Sequence, residues 1–378
     1  MARLTEEQTI IRDGAKSWVQ EKAPVTALRK LRDSGNPDGF DRAVWAEMAE
    51  MGWTGILVPE EFGGTGLCYQ TFGLVLEETG RTLTASPLIS TALAATSALL
   101  LAGSDAQKQA YLPKMVEGKL IATLAVDEGP HHRPDNISLK AERVGSGFTL
   151  NGRKTMVLDG AAADLVIVAA RTSGAAGDKS GVTLFLVDGD AKGLSRARLK
   201  TVDSRGVANL HLNNVTVGAD DVLGQAGEGM VVLDATLDRA RAGLAAEMLG
   251  QAVQAFETTL DYLKTRVQFG QPIGTFQALQ HRAAKMFTDL ELARSCVEAA
   301  LQAIDSDAPD VAQLASLAKA KAGDVAHLVS NEMVQMHGGI GMTDAHDAGL
   351  YLKRARVQAT TFGGSSYHRD RYASLLGY

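Results

Sequence analysis

Hydrophobic and polar positions change their period twice along the chain. From residue 1 to about 118 the apolar residues recur at helical spacing. Thr5-Glu-Glu-Gln8 has capping-box spacing and predicts a helix from near Thr5 to about Glu21. Further helices are expected over 41–51 and 70–81, with two more between Ser86 and Glu117. Asn36-Pro-Asp-Gly39 and Glu61-Phe-Gly63-Gly64-Thr-Gly66 supply turns between them. From about 120 to 226 the pattern shortens to strand-like runs at 121–126, 138–144, 148–150, 165–170, 183–187, 208–212 and 215–217. Asn151-Gly152 reads as a tight hairpin, and Gly145-Ser-Gly147 and Asp188-Gly189-Asp190 read as turns. Such a series suggests a small antiparallel barrel or sandwich. After Gly229 the helical period returns. Leu237, Ala240, Leu244, Met248, Val253, Phe256, Leu260 and Leu263 describe one long buried face, and helices are expected over 276–304, 310–336, 346–358 and 366–376.

The chain has 378 residues, which at roughly 150 per domain suggests two or three domains. Its net charge of −6 argues against a nucleic-acid binder. Cys68 and Cys296 are the only cysteines, so neither a disulfide framework nor a thiolate metal site is expected; this fits a reducing, cytoplasmic setting. The start, Met1-Ala-Arg-Leu-Thr-Glu-Glu-Gln8, lacks the apolar region of a secretory signal. The most apolar stretch, 86–103, is rich in Ala, Ser and Thr and suits a buried helix better than a bilayer span.

Two segments carry the candidate chemistry. The first is Tyr262-Leu-Lys-Thr-Arg266-Val-Gln-Phe269-Gly-Gln-Pro-Ile-Gly-Thr-Phe-Gln277-Ala-Leu-Gln280-His281. Arg266 alone could be a dipole partner for helix-terminal carbonyls. The second is Gln335-Met-His337-Gly338-Gly339-Ile-Gly341, whose glycines could simply cap a helix or could admit a ligand close to the backbone. Together the two segments resemble the flavin-clasping half of acyl-CoA dehydrogenases.

The resemblance runs over essentially the whole chain. It implies an α+β fold with a helical N-terminal domain (1–118), a middle antiparallel β domain (119–226) and a C-terminal four-helix bundle (227–378). It implies FAD as cofactor and an acyl-CoA thioester as substrate. Arg266 would reach the pyrophosphate of a neighbouring subunit's flavin, with Phe269 packed beside the cofactor and Gln277 bonded to its adenosine part. Gln335, Gly338 and Gly339 would line the adenosine pocket across a subunit interface. Arg241, nine positions before Gly250, would lie near the floor of the thioester pocket. The loop from Val58 to Leu67 is read as structural.

This sequence departs from the family at the redox centre. Where the family carries Thr-Glu-Pro-x-x-Gly-Ser-Asp, this chain has Leu124-Ala-Val126-Asp127-Glu128-Gly-Pro-His-His-Arg-Pro134, with Val126 in place of the Thr. Met156, Val157 and Leu158 replace a Trp-Ile-Thr/Ser motif. Each lost partner would leave a polar flavin edge unpaired, at roughly 1–3 kcal/mol per group. Dehydrogenation also needs a carboxylate to take the Cα proton while a hydride leaves Cβ. Phe362 or Gly363 stands where that Glu is usual, and Ala240 stands at the alternative position on the long helix. Asp238, Glu247 and Asp347 are nearby acids, each displaced from the expected site. His131, His132 and His368 are expected at the surface or an interface.

The expectation is therefore an accessory subunit of an FAD-dependent acyl-CoA dehydrogenase that completes a partner's flavin site. Sterol side-chain thioesters are a hinted substrate, and an electron-transfer flavoprotein is a possible partner. The alternatives are a self-sufficient homo-oligomeric enzyme with a relocated base and a non-redox acyl-CoA scaffold.

Overall fold

The computed structural model describes residues 4–378; the first three residues of the start read above lie outside the described residues. α1 (Glu6–Lys22) opens as its capping box dictates. Thr5 Oγ1 accepts the Gln8 N–H at 3.1 Å, and Gln8 Oε1 accepts the Thr5 N–H at 3.1 Å. α2 (Val25–Ser34) was not among the expected helices; it is short, and Leu28 is its one buried residue. α3 (Arg42–Glu50) starts at Asp41, whose carboxylate accepts the Ala43 N–H at 2.8 Å, and it buries Trp45 and Met48. α4 (Tyr69–Arg81) follows.

The stretch after Ser86 is a wholly buried π-helical segment, Leu88–Ala95, running into α5 (Thr96–Ala102). With no exposed side it offers no polar period, so its unusual winding is invisible in the sequence. α6 (Asp105–Val116) has its own capping box, between Ser104 and Gln107.

The middle of the chain is one sheet. Its strands are β1 (Ala122–Ala125), β2 (Lys140–Val144), β3 (Gly147–Val157), β4 (Leu165–Arg171), β5 (Val182–Asp188), β6 (Leu194–Arg198), β7 (Ala208–Val217) and β8 (Val222–Leu223). They follow the order β6-β7-β3-β2-β4-β5-β8, with β1 beside β4. Pairing is antiparallel except for β1 on β4 and the single pair Lys140 with Arg171 that joins the two halves. Leu150, Val166, Val168, Phe185, Leu210 and Val215 share one core, sealed by the edge-on contact of Phe148 and Phe185.

The sheet corrects one reading. Asn151-Gly152 is no hairpin: the β2–β3 turn is at 145–146, with Val144 opposite Gly147. Gly152 instead lies within β3 at φ 149°, where a side chain would meet Leu139 Cγ at 2.8 Å. Opposite it, β7 fits Asn213 and Asn214 against the single Asn151, a bulge that merges the two runs expected at 208–212 and 215–217 into one strand. β6 was missed because it is a polar edge strand with no buried residue.

The rest is helical: α7 (Gly229–Thr265), a short hairpin of β9 (Val267–Gln268) and β10 (Gln271–Pro272), then α8 (Gln277–Asp305), α9 (Val311–His337), α10 (Ala348–Thr360) and α11 (Ser365–Leu375). Backbone contacts sort the chain into two compact units. One contains residues up to Arg29, Tyr69–Thr84 and Arg241–Tyr378, so α1 and α4 group with the C-terminal helices. The other contains Lys30–Cys68 and Ala85–Ala240. Within the first, α4 and α7 touch backbone to backbone through glycine. A Cβ on Gly250 would lie 1.8 Å from the Glu77 carbonyl oxygen, and one on Gly80 would lie 2.1 Å from that of Glu247. Among the described residues no helix is long and apolar enough to cross a membrane, and no cluster of His, Cys, Asp or Glu could hold a metal.

Candidate functional site

The candidate residues of the first unit lie just past the ends of α7 and α9 and at the start of α8. α7 ends at Thr265, and the Arg266 N–H caps it by donating to the Tyr262 carbonyl at 2.8 Å. The chain then doubles back through β9 and β10, with Phe269 (φ 55°) and Gly270 (φ 80°) forming the tip. A bulky residue in the left-handed region is uncommon and costs about 1–2 kcal/mol. It turns the Phe269 ring outward, 90% exposed, edge-on to Phe276 at 6.1 Å. Gln277 begins α8 and is exposed.

At the end of α9, Gln335 is exposed and Gly338 takes φ 64°, ψ −138°, a conformation reserved for glycine. Space around Gly338 and Gly339 is open: added Cβ atoms would find nothing within 4 Å. Among the described residues, the side chains of Arg266, Gln277 and Gln335 have no hydrogen-bonding or ionic partner. A planar cation, two free amides and an unobstructed backbone turn fit a dinucleotide presented from outside: guanidinium to phosphate, amides to an adenosine edge.

The ring-facing candidates in the second unit are different. Val126 and Val157 are buried. Met156 sits at φ 54° with its side chain half exposed. Hydroxyls that remain nearby bond inward: Thr123 Oγ1 donates to the Leu158 carbonyl at 2.6 Å, and Thr155 Oγ1 to that of Gly129 at 2.9 Å. Asp127 is engaged by the His132 ring at 2.9 Å and the Arg133 N–H at 3.0 Å. Glu128 accepts from the buried Lys154 ammonium at 2.7 Å and from the Ser138 and Leu139 N–H groups at 2.9 Å each. Burial alone would raise its carboxyl, but Lys154 and these bonds outweigh burial and hold it below the usual range. The turn is polar and self-satisfied.

At the two positions expected for a base, Phe362 adopts φ 56° and Gly363 φ 107°. The Phe362 carbonyl accepts from Arg241 Nε at 3.2 Å and from His368 Nε2 at 3.0 Å. A Cβ on Gly363 would collide with Tyr367 Cδ1 at 2.5 Å. Arg241, expected at a pocket floor, is fully buried; its guanidinium also reaches Tyr367 Oη at 3.3 Å and lies over that ring. It holds this loop. Ala240 is fully buried as well.

The other acids are committed or enclosed. Glu247, 6% exposed, is gripped by Arg354 at 2.7 Å and by the Gln358 amide at 2.9 Å. Asp347 pairs with Arg29 at 2.7 Å, and Asp238 is buried. Two expectations for histidine need correction. His368 is wholly buried under the Phe362 loop, and the His132 side chain is nearly so because Asp127 draws it in; His131 is exposed.

Sequence reading missed Lys319. It lies on α9 in register with Ala315, Ala322 and Ala326, so a lysine on an alanine-lined buried stripe was the available signal. It also missed the rings of Tyr262, His337 and His346, which stack beneath the glycine turn. A cavity of about 800 Å³ between α1, α4, α7 and α8 is lined by none of the candidate site residues.

Comparison with known proteins identifies the family. The acyl-CoA dehydrogenase N-terminal domain matches residues 5–119, the middle domain 127–215 and the C-terminal domain 227–376. Isovaleryl-CoA dehydrogenase of Solanum tuberosum mitochondria is 33% identical, over 96% of this chain and 89% of that protein. A variant of the Tcur3481-Tcur3483 steroid ACAD superposes with a TM-score of 0.89 at 32% identity, covering 98% of each chain. The ChsE4-ChsE5 complex of Mycobacterium tuberculosis gives a TM-score of 0.89 at 27% identity, over 99% of this chain and 98% of that one. This chain thus belongs to the acyl-CoA dehydrogenase family, whose members are FAD-dependent flavoproteins, oxidoreductases that act on CH–CH groups.

Proposed function

We propose that this chain is a subunit that completes the flavin site of a partner of the same fold rather than running the dehydrogenation from its own base. One contrast carries the reading. The residues aimed outward (Arg266, Phe269, Gln277, Gln335, Gly338 and Gly339) are present and exposed, while Phe362 and Gly363 occupy the base position on a loop tied down by buried cations. Two of the solved relatives are described by paired subunit names, Tcur3481-Tcur3483 and ChsE4-ChsE5, which supports a two-subunit assembly; the steroid label of the first supports a bulky acyl-CoA substrate. Electrons would leave through an electron-transfer flavoprotein.

Bound FAD supplies the hydride acceptor. This chain's contribution is binding and orientation: Arg266 donates to phosphate oxygens, and Gln277 and Gln335 fix the adenosine end. Relocation of the base is disfavoured because Glu247 and Asp347 already answer to Arg354 and Arg29. Each would have to lose a charge partner before accepting a proton.

The test is flavin content and turnover of the purified chain, alone and co-expressed with a family member that carries the base Glu. Alone, it should hold little flavin and oxidise no acyl-CoA; together, both should appear. Arg266→Ala should then lower flavin affinity of the pair about 10–100-fold, given about 1.5–3 kcal/mol for a charged hydrogen bond. Stoichiometric flavin and brisk turnover by the chain alone would refute the proposal.

A further inference from the structure

The grip consists of two pieces from different helices, and something must hold them at one spacing. Arg266 and the Phe269 hairpin hang from the end of α7, whereas Gln335, Gly338 and Gly339 belong to the end of α9. His337 lies between the pieces and is 3% exposed. Its ring stacks on Tyr262, one helical turn before Arg266, with centroids 4.3 Å apart and planes 30° from parallel. The His346 ring also meets it, with centroids 4.3 Å apart and planes tilted by 43°. Tyr262 Oη lies 3.4 Å from the His337 carbonyl, to which it donates.

Backbone groups fix the ring planes. His337 Nδ1 donates to the Met333 carbonyl at 2.7 Å, which makes Nδ1 the protonated nitrogen. His346 Nδ1 accepts the Ala348 N–H at 3.1 Å, which puts its proton on Nε2. His337 Nε2 is buried with no hydrogen-bond partner among the described residues. Burial and the neighbouring His346 oppose a charge on His337, although its bond to Met333 favours one, and its affinity for a proton falls below the usual range. The His337 ring is therefore held toward its neutral form. A buried nitrogen without a partner is a cost, so beyond the Nδ1 bond to Met333 the ring's contribution is its packing against Tyr262 and His346.

We propose that His337 is a positioning residue: clamped between Tyr262 and His346, it sets the separation of the Arg266 hairpin and the Gly338–Gly339 turn so that both meet one ligand. The assignment of that ligand as a dinucleotide rests on the function proposed above; the clamp itself does not. Arg266 has no anchor of its own for its side chain, so its placement is only as good as that of the helix end carrying it. The glycine turn is equally unsupported from outside, since both glycines are exposed. A flavin that needs both pieces would feel any loss of their spacing as lost affinity.

The experiment reads the spacing directly and without flavin. Spin labels are placed on the full chain at Gln268→Cys and Met342→Cys, both exposed sites, after Cys68→Ser and Cys296→Ser remove the native thiols. Pulsed electron–electron distance measurement should give one narrow distribution for the parent. His337→Ala should broaden or split it, His337→Phe should keep it narrow, and Tyr262→Leu should broaden it as His337→Ala does. Circular dichroism confirms that each variant is folded, and Tyr262→Leu decides the matter if His337→Ala does not fold. A distribution unchanged in the folded variants overturns the clamp.

A parallel FAD titration of the chain co-expressed with its base-carrying partner separates the two claims. Loss of affinity in both Arg266→Ala and His337→Ala supports the whole picture. Unchanged affinity in Arg266→Ala with a broadened distance in His337→Ala removes the dinucleotide and leaves the clamp standing.

Discussion

Lys319 offers the most decisive stability test because its environment is fully specified. It is 1% exposed, and its ammonium donates to the carbonyls of Gln358 at 3.0 Å, Ala359 at 3.3 Å and Gly363 at 3.0 Å. Gln358 and Ala359 lie in the last turn of α10, where carbonyls have no intrahelical partner. Lys319 thus caps one helix from another and holds the loop that contains Phe362. Lys319→Met keeps the side chain's length and leaves three carbonyls without a donor, at roughly 1–3 kcal/mol each. Removing a desolvated cation returns part of this. The net expectation is a loss of about 2–5 kcal/mol, or about 4–20 °C in melting temperature for a unit of this size.

The pH dependence supplies a second readout. Burial, then the Arg241 guanidinium, push Lys319 down to about 7. The folded value lies below the unfolded one, so the unfolded chain binds more protons between about pH 7 and 10.5, and this residue makes stability rise with pH across that window. Below pH 7 both states are charged and its unfavourable contribution is constant. Melting curves by circular dichroism from pH 6 to 10 would show the rise in the parent and its absence in Lys319→Met. A variant as stable as the parent at pH 7, with the same slope, would show that the three carbonyls do not depend on this ammonium.

Two further outcomes follow from buried charge and backbone strain. Glu128→Gln strands the Lys154 ammonium, which is wholly buried, and should destabilise the sheet by about 3–5 kcal/mol. Because the Glu128 carboxyl is held below its usual 4.5, its stabilisation is present above that pH and lost as pH falls through the lower folded value; acid titration of the variant should lose this component, and an unchanged acid limb would remove the ion pair as its source. Phe269→Gly relieves a left-handed backbone and should stabilise the isolated chain by up to about 1 kcal/mol in calorimetry. The same substitution should weaken capture of flavin and partner. Unaltered capture in sedimentation and absorbance would mean that the exposed ring takes no part.

Much of this protein follows from local rules that a chain carries in its residues. The capping boxes at Thr5 and Ser104, the buried face of α7 and the switch to short strands near residue 120 are set by neighbours a few positions apart. So are the glycine turn and the hairpin that shape the candidate grip, because Gly270 and Gly338 adopt backbone angles that their residue type makes accessible. The absence of a Glu at 240, 362 and 363 is likewise plain in the sequence.

What needed tertiary structure were the choices made between distant segments. Asn151-Gly152 has the composition of a turn, yet it lies within β3 because Asn213-Asn214 bulges opposite it. His368 is polar enough for a surface but lies under the Phe362 loop and bonds to its carbonyl. Glu247 is chemically able to act as a base until Arg354 and Gln358, more than a hundred positions away, engage its carboxylate. Local propensity acts through short-range sterics and hydrogen bonds, which a sequence displays. Burial, charge pairing and ring stacking depend on which remote groups the fold brings together, and only the folded chain decides that.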